Sequence, residues 1–284
     1  MRILIAGCGD VGGALGRLLV AEGHRVWGLR RTVSELPPEL EPIAADLTDP
    51  ATLTDLPEGL DEVVYTAAAA GRSEDAYRAA YSEGVAHLSA ALDAQGQRPR
   101  RMIFVSSTGV YGQSAGEWVD EDSATEPGSF TGRIVLEAER RVLDGPFPGT
   151  AVRFGGIYGP GRTRLLERVR AGAAQVPAGR PVYTNRIHRD DCAGALAHLL
   201  ARDRGGRPLE PVYLGVDHEP AELGEVFRFL AEILGAAPPK VAADADTGRR
   251  GSNKRCRNDR LLATGYRFLY PTYREGYRAL VEGA

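Results

Sequence analysis

The stretch GCGDVG at residues 7–12 carries the plainest chemistry in the chain. It follows the apolar run RILIAG and opens an amphipathic segment, so the pattern G-x-G-x-x-G falls at a strand-to-helix turn. There Gly7 permits a tight bend, Gly9 leaves room for a diphosphate, and Gly12 lets helix and strand approach closely. The helix start, with Asp10 and Val11, presents free N–H groups and a partial positive charge to phosphate oxygens. A dinucleotide site is expected. The second apolar run ends Leu29-Arg30-Arg31, where a site for NAD usually places a carboxylate for the ribose hydroxyls. Arg30 and Arg31 offer forked donors that suit a 2′-phosphate instead, so NADP is expected ahead of NAD. Asp46 and Leu47 end the third run, where Asp46 serves either the adenine or a helix cap. Ala67 and Ala68, near the end of the fourth run, complete the expected cofactor wall.

Composition narrows the remaining choices. The chain has 284 residues, 43% apolar and 26% charged, with a formal net charge of -3. That describes a globular chain with no global excess of base to suit nucleic acid. Thirty-three arginines accompany only two lysines, Lys240 and Lys254, so chemistry that needs a lysine has two candidates. Cys8, Cys192 and Cys256 are odd in number and not at metal-ligand spacing. We expect no metal site, no disulfide framework and a reducing compartment, hence a cytoplasmic protein. The first apolar run is too short for a membrane span, and no membrane association is expected.

These residues need elements to hold them. Short apolar runs at 2–7, 24–30, 42–46, 61–69, 101–107 and 150–159 read as buried strands. Amphipathic segments at 12–23, 74–94 and 131–144 read as helices between them. Strand and helix in alternation predict a Rossmann-type α/β fold, a doubly wound parallel sheet with helices on both faces. Residues 1–160 are expected to form this cofactor domain, with 185–202 packing back on it. Residues 161–184 and 203–284, with helices at 164–172, 221–234 and 273–282, are expected to form a smaller substrate lobe.

The motifs GCGDVGG, VVYTAAAA, VSSTGVYG, VDEDSATEP, TGRIVLEAE, VRFGGIYGPGR and RIHRDDCAGAL follow in order over roughly residues 1–200. In types and order they resemble the extended short-chain dehydrogenase/reductase superfamily, in its NAD-dependent epimerase/dehydratase group, and within it an atypical YeeZ-like branch. The resemblance implies hydride transfer to or from a nicotinamide. It implies a tyrosine as acid or base, a lysine that lowers its pKa, a serine or threonine on the substrate oxygen, and an asparagine in a proton relay. Here the serine position is Ser107. The tyrosine, lysine and asparagine positions hold Thr131, Val135 and Gly84. A threonine hydroxyl does not titrate near neutral pH and valine donates nothing, whereas a tuned phenol serves general acid–base catalysis.

Three replacements are open. Arg133 stands two residues from each vacant position, though on a helix that offset faces away. Tyr111 or Tyr158 could lend a phenol from a neighbouring loop. Ser107 and Thr131 could jointly orient a carbonyl, with water as the proton source. The resemblance also places Tyr158, Arg162, Arg186 and His188 on the substrate side. His188 is either a base near neutrality or a packing histidine, and Asp190 or Asp191 would cap the helix after it. Arg249, Arg250, Lys254, Arg255 and Arg257 add a basic run, either an anion site or a solvated loop.

Two functions stand side by side. One is an NAD(P)(H)-dependent oxidoreductase or epimerase-like enzyme acting on a small polar or anionic molecule, sugar nucleotides among them. The other is a non-catalytic protein that senses NADP(H) and regulates a partner. The resemblance implies a homodimer through the helices at 74–94 and 131–144.

Overall fold

The computed structural model describes residues 1–242 and 252–283. Its strands are β1 (Arg2–Ala6), β2 (Arg25–Arg30), β3 (Glu41–Ala44), β4 (Glu62–Tyr65), β5 (Arg101–Ser107), β6 (Glu117–Val119), β7 (Gly149–Phe154), β8 (Gly156–Tyr158), β9 (Gln175–Pro177), β10 (Tyr183–Thr184), β11 (Arg186–His188), β12 (Val212–Gly215), β13 (Ala221–Glu222), β14 (Lys240–Ala242) and β15 (Lys254–Cys256). Its helices are α1 (Asp10–Ala21), α2 (Glu74–Tyr77), α3 (Gly84–Ala94), α4 (Phe130–Leu143), α5 (Arg164–Arg170), α6 (Arg189–Arg204), α7 (Leu223–Leu234), α8 (Asp259–Ala263) and α9 (Tyr273–Glu282). No helix among the described residues is long and apolar enough to cross a membrane.

Seven parallel strands form the central sheet in the order β12-β7-β5-β4-β1-β2-β3. Strands β1, β4 and β5 are apolar on both faces because both faces are covered. Leu4, Val63, Met102 and Phe104 point into one cluster with Val85 and Leu88 of α3 and Leu136 and Val142 of α4. Ile3, Ile5, Val64 and Ile103 point into the other with Leu15 and Leu19 of α1 and Leu196 and Leu200 of α6. A third cluster joins α5, α7 and α9 through Leu166, Val169, Phe227, Leu230, Tyr273 and Tyr277. The chain reverses its direction of strand addition between β1 and β4, and a ligand crevice is expected at their carboxyl ends.

Two elements differ from the sequence reading. The run expected as one strand at 150–159 is two. β7 stays in the sheet, whereas β8 turns aside to pair with β11. The break falls at Gly155, where a Cβ would stand 3.0 Å from the Asn185 carbonyl oxygen and 3.1 Å from Val216. The helix expected at 74–94 is also divided. A π-helical turn, Arg78–Glu83, lies between α2 and α3.

Candidate active site

A cleft of about 550 Å³ opens where β1 and β4 diverge. Gly7, Gly9, Asp10, Val11, Arg30, Arg31, Asp46, Leu47, Ala67 and Ala68 all line it. Gly7 has φ +76°, and a Cβ there would stand 2.3 Å from the Ala67 Cα, so the turn accepts no side chain. Gly12 lies behind the cleft, where a Cβ would meet Thr66 Oγ1 at 2.7 Å. Gly9 precedes α1 without a side-chain cap, which leaves the helix N–H groups to an anion. This cradle fits a dinucleotide's diphosphate.

The cleft's charges are held in place. Arg30 pairs with Glu35, and one of its nitrogens lies 3.5 Å from the Cys8 carbonyl. Arg31 is exposed, 3.9 Å from Asp46. Burial alone would raise the Asp46 pKa, but hydrogen bonds from the Thr48 amide and hydroxyl, with Arg31 nearby, hold it below the usual value. The cap that begins Pro50–Leu53 is Asp49, so Asp46 stays at the cleft. Asp10 accepts from Arg162 Nε at 2.5 Å and from Arg189 Nη1 at 3.2 Å. Arg162 thus bridges the glycine loop and the segment after β8, and it lines the cleft.

Ser106 and Ser107 end β5 at the same cleft. Strand alternation sends them opposite ways. Ser106 donates to Glu139 Oε2 at 2.8 Å, and Glu139 forms a buried pair with Arg153. Ser107 Oγ accepts the Gly109 amide at 3.0 Å, leaving its own proton to donate into the cleft.

Other sequence candidates lie elsewhere. Tyr111 is buried behind the serine turn. Its hydroxyl donates to the Asp120 carbonyl at 2.7 Å and accepts from Arg153 at 2.6 Å, and burial raises its pKa. Thr131 joins Ser129, the α4 cap, through a 2.9 Å hydroxyl contact, and neither Thr131 nor Val135 is among the residues that line the cleft. Val135 packs in the core. Arg133 lies on a separate groove between α3 and α4. Tyr158 is buried, stacked 4.3 Å from Tyr277, although Gly155 and Ile157 beside it reach the cleft. Arg186 is buried against Thr184, with its guanidinium 5.7 Å from the Tyr273 ring.

His188 is itself the cap of α6. Its Nδ1 accepts the Asp190 amide at 3.2 Å, and it faces a second cavity of about 320 Å³ with Thr163, Asp190 and Tyr270. Burial lowers its pKa. The expected cap Asp191 instead accepts the amides of Leu269 and Tyr270 and the Tyr266 hydroxyl. In the basic run, Arg249 and Arg250 lie outside the described residues. Lys254 is no solvated residue: it is 2% exposed and donates to the Tyr111 carbonyl at 3.2 Å and to Ser252 at 2.6 Å. Arg255 and Arg257 stack on Trp118.

Gly84, at the vacant asparagine position, has a local reason. A Cβ there would stand 2.2 Å from the Tyr65 hydroxyl, which donates to the Ala80 carbonyl at 2.6 Å within the π-turn. The sequence reading missed Tyr81, one helical turn before Gly84, which lines the cleft. Its spacing from Gly84 was the available signal.

The sequence pattern of the NAD-dependent epimerase/dehydratase family matches residues 3–215. The chain belongs to this family. The family's members are NAD(P)-binding proteins of oxidoreductase type, and the cleft carries the matching cradle. Along nearly its whole length the chain is similar to a Streptomyces protein named 3-diazoavenalumate denitrifying reductase. The two are 30% identical over 97% of this chain and 99% of that one. It is 29% identical to protein YeeZ of Escherichia coli K12, over 87% of this chain and 89% of YeeZ. A solved structure from Methylobacillus flagellatus, assigned to the same epimerases/dehydratases, superposes with a TM-score of 0.84 at 40% identity, covering 99% of this chain and 98% of that one.

Proposed function

We propose that this protein is a cytoplasmic, NADP(H)-dependent reductase of a small polar or anionic molecule. The observation that carries the reading is the single cleft lined together by the glycine cradle, by Arg30 and Arg31, and by Ser107 and Arg162. The Streptomyces relative is named a reductase, which supports the direction of the chemistry.

In this reading the 7–12 loop and the α1 terminus hold the diphosphate. Arg30 and Arg31 meet the 2′-phosphate, and Asp46 and Leu47 border the adenosine. Bound NADPH supplies a hydride. Ser107 donates its hydroxyl proton in a hydrogen bond to the substrate oxygen, and Arg162 meets an anionic group. The three buried cysteines accord with a reducing compartment.

Calorimetric titration with NADPH and NADH tests the cofactor end. NADPH is expected to bind at least about tenfold tighter, a difference of about 1.4 kcal/mol. Replacing Arg30 and Arg31 together by alanine is expected to erase the difference. Equal affinities in the unaltered protein would overturn the NADP assignment.

A further inference from the structure

The vacant tyrosine and lysine positions leave the proton for reduction without a donor on α4. Among the residues that line the cleft, one phenol is present, Tyr81. It belongs to the π-helical turn between α2 and α3, and such turns recur at functional sites. Its ring is held edge-on against Phe104 of β5 and beside Tyr77, so its direction is fixed by packing. Arg162, carried by the loop after β8 and held by Asp10 of the glycine loop, lines the same cleft.

We propose that Tyr81 is the proton donor of this site and that Arg162 is the cation that tunes it. The pair would supply from two other elements what the family's tyrosine and lysine supply from one helix.

Burial and charge act on the Tyr81 phenol in opposite directions. Burial, with Tyr77 adding to it, pushes the Tyr81 phenol up to about 12, while the backbone at Ala69 and the Arg162 charge pull it down. The phenol therefore holds its proton at neutral pH, and the Arg162 charge acts to bring its pKa down toward the range in which a general acid is efficient. In the step itself the nicotinamide hydride bonds to the substrate carbonyl carbon. The C=O π pair becomes the new O–H bond with the Tyr81 proton, and water reprotonates the phenolate through the open cleft. NADPH is oxidised and the carbonyl reduced.

The inference rests on the reductase reading, and its test separates the two. Phenanthrenequinone serves as the carbonyl probe with NADPH, and carbon-13 NMR of protein labelled at the tyrosine ζ-carbons serves as the second readout. Tyr81→Phe keeps the ring packing. It is expected to bind NADPH as the unaltered protein does and to lose about 100-fold or more in kcat. The resonance missing from Tyr81→Phe is expected to titrate about one pH unit lower when NADP+ is bound. It should rise again in Arg162→Gln and return in Arg162→Lys. Unchanged turnover in Tyr81→Phe, or a resonance indifferent to both NADP+ and Arg162, overturns the proposal. NADPH binding without turnover of the probe counts against the reductase reading, and the NMR titration still decides the pair.

Discussion

Ser107 and Val135 make a useful contrast because both stand at positions that carry chemistry in the wider family, yet only Ser107 faces the cleft. Ser107→Ala removes the free donor and is expected to lower kcat with phenanthrenequinone about tenfold or more while the melting temperature hardly moves. Val135→Ala removes two buried methyl groups, and is expected to cost about 1–3 kcal/mol of stability and little turnover. Paired denaturant melts and steady-state rates check both. Comparable losses of turnover in the two variants would remove the special role of Ser107. At this scale the residues that line the cleft around the glycine loop were legible because a glycine spacing after a strand has few physical readings. Tyr111 and Tyr158 were equally plausible phenols on sequence. What sends them inward is a set of partners distant in sequence: Arg153 for Tyr111, Tyr277 for Tyr158.

Among elements, the sheet was readable because its central strands β1, β4 and β5 carry apolar residues on both faces and amphipathic segments alternate with the strands. The departures follow from single close approaches. β7 leaves off at Gly155, where the Asn185 carbonyl occupies the space of a side chain and accepts the Gly156 amide at 2.9 Å. The helix at 74–94 takes its π-turn beside Tyr65, whose hydroxyl satisfies the Ala80 carbonyl. Neither contact has a periodicity to betray it. The outer groove between α3 and α4, about 900 Å³ and lined by Val85, Ala86, Ser89, Leu136, Arg133 and Arg140, is our proposed seat for a second copy. Ala86→Arg places charge in that groove and is expected to convert a dimer into a monomer in sedimentation velocity without unfolding it. A monomer before substitution would refute the assignment.

Across the whole molecule, the sheet meets the α5–α7–α9 cluster at a buried polar junction. Asp217 follows β12, and its amide donates to the Arg186 carbonyl at 2.7 Å. Its Oδ1 accepts the Glu219 amide at 3.1 Å. Burial raises its pKa to about 8, outweighing that hydrogen bond and the Arg186 charge, while Glu219 and Asp191 raise it further. Tyr158 and Tyr277 stand near the same carboxyl group. The native protein therefore keeps a proton that an unfolded aspartate, near pKa ~3.9, releases. The sign follows from linkage. Between about pH 4 and pH 8 the native state binds more protons, so stability falls as pH rises and levels off above the folded pKa. Asp217→Asn keeps the acceptor for Glu219 and removes the titration. The variant is expected to gain stability relative to the unaltered protein as pH rises from about 5 to about 8, by an amount on the order of a few kcal/mol. Urea midpoints across that range measure it. A gap between the two proteins that stays constant with pH would show that Asp217 is ionised at the junction, and the proton would then have to be sought elsewhere.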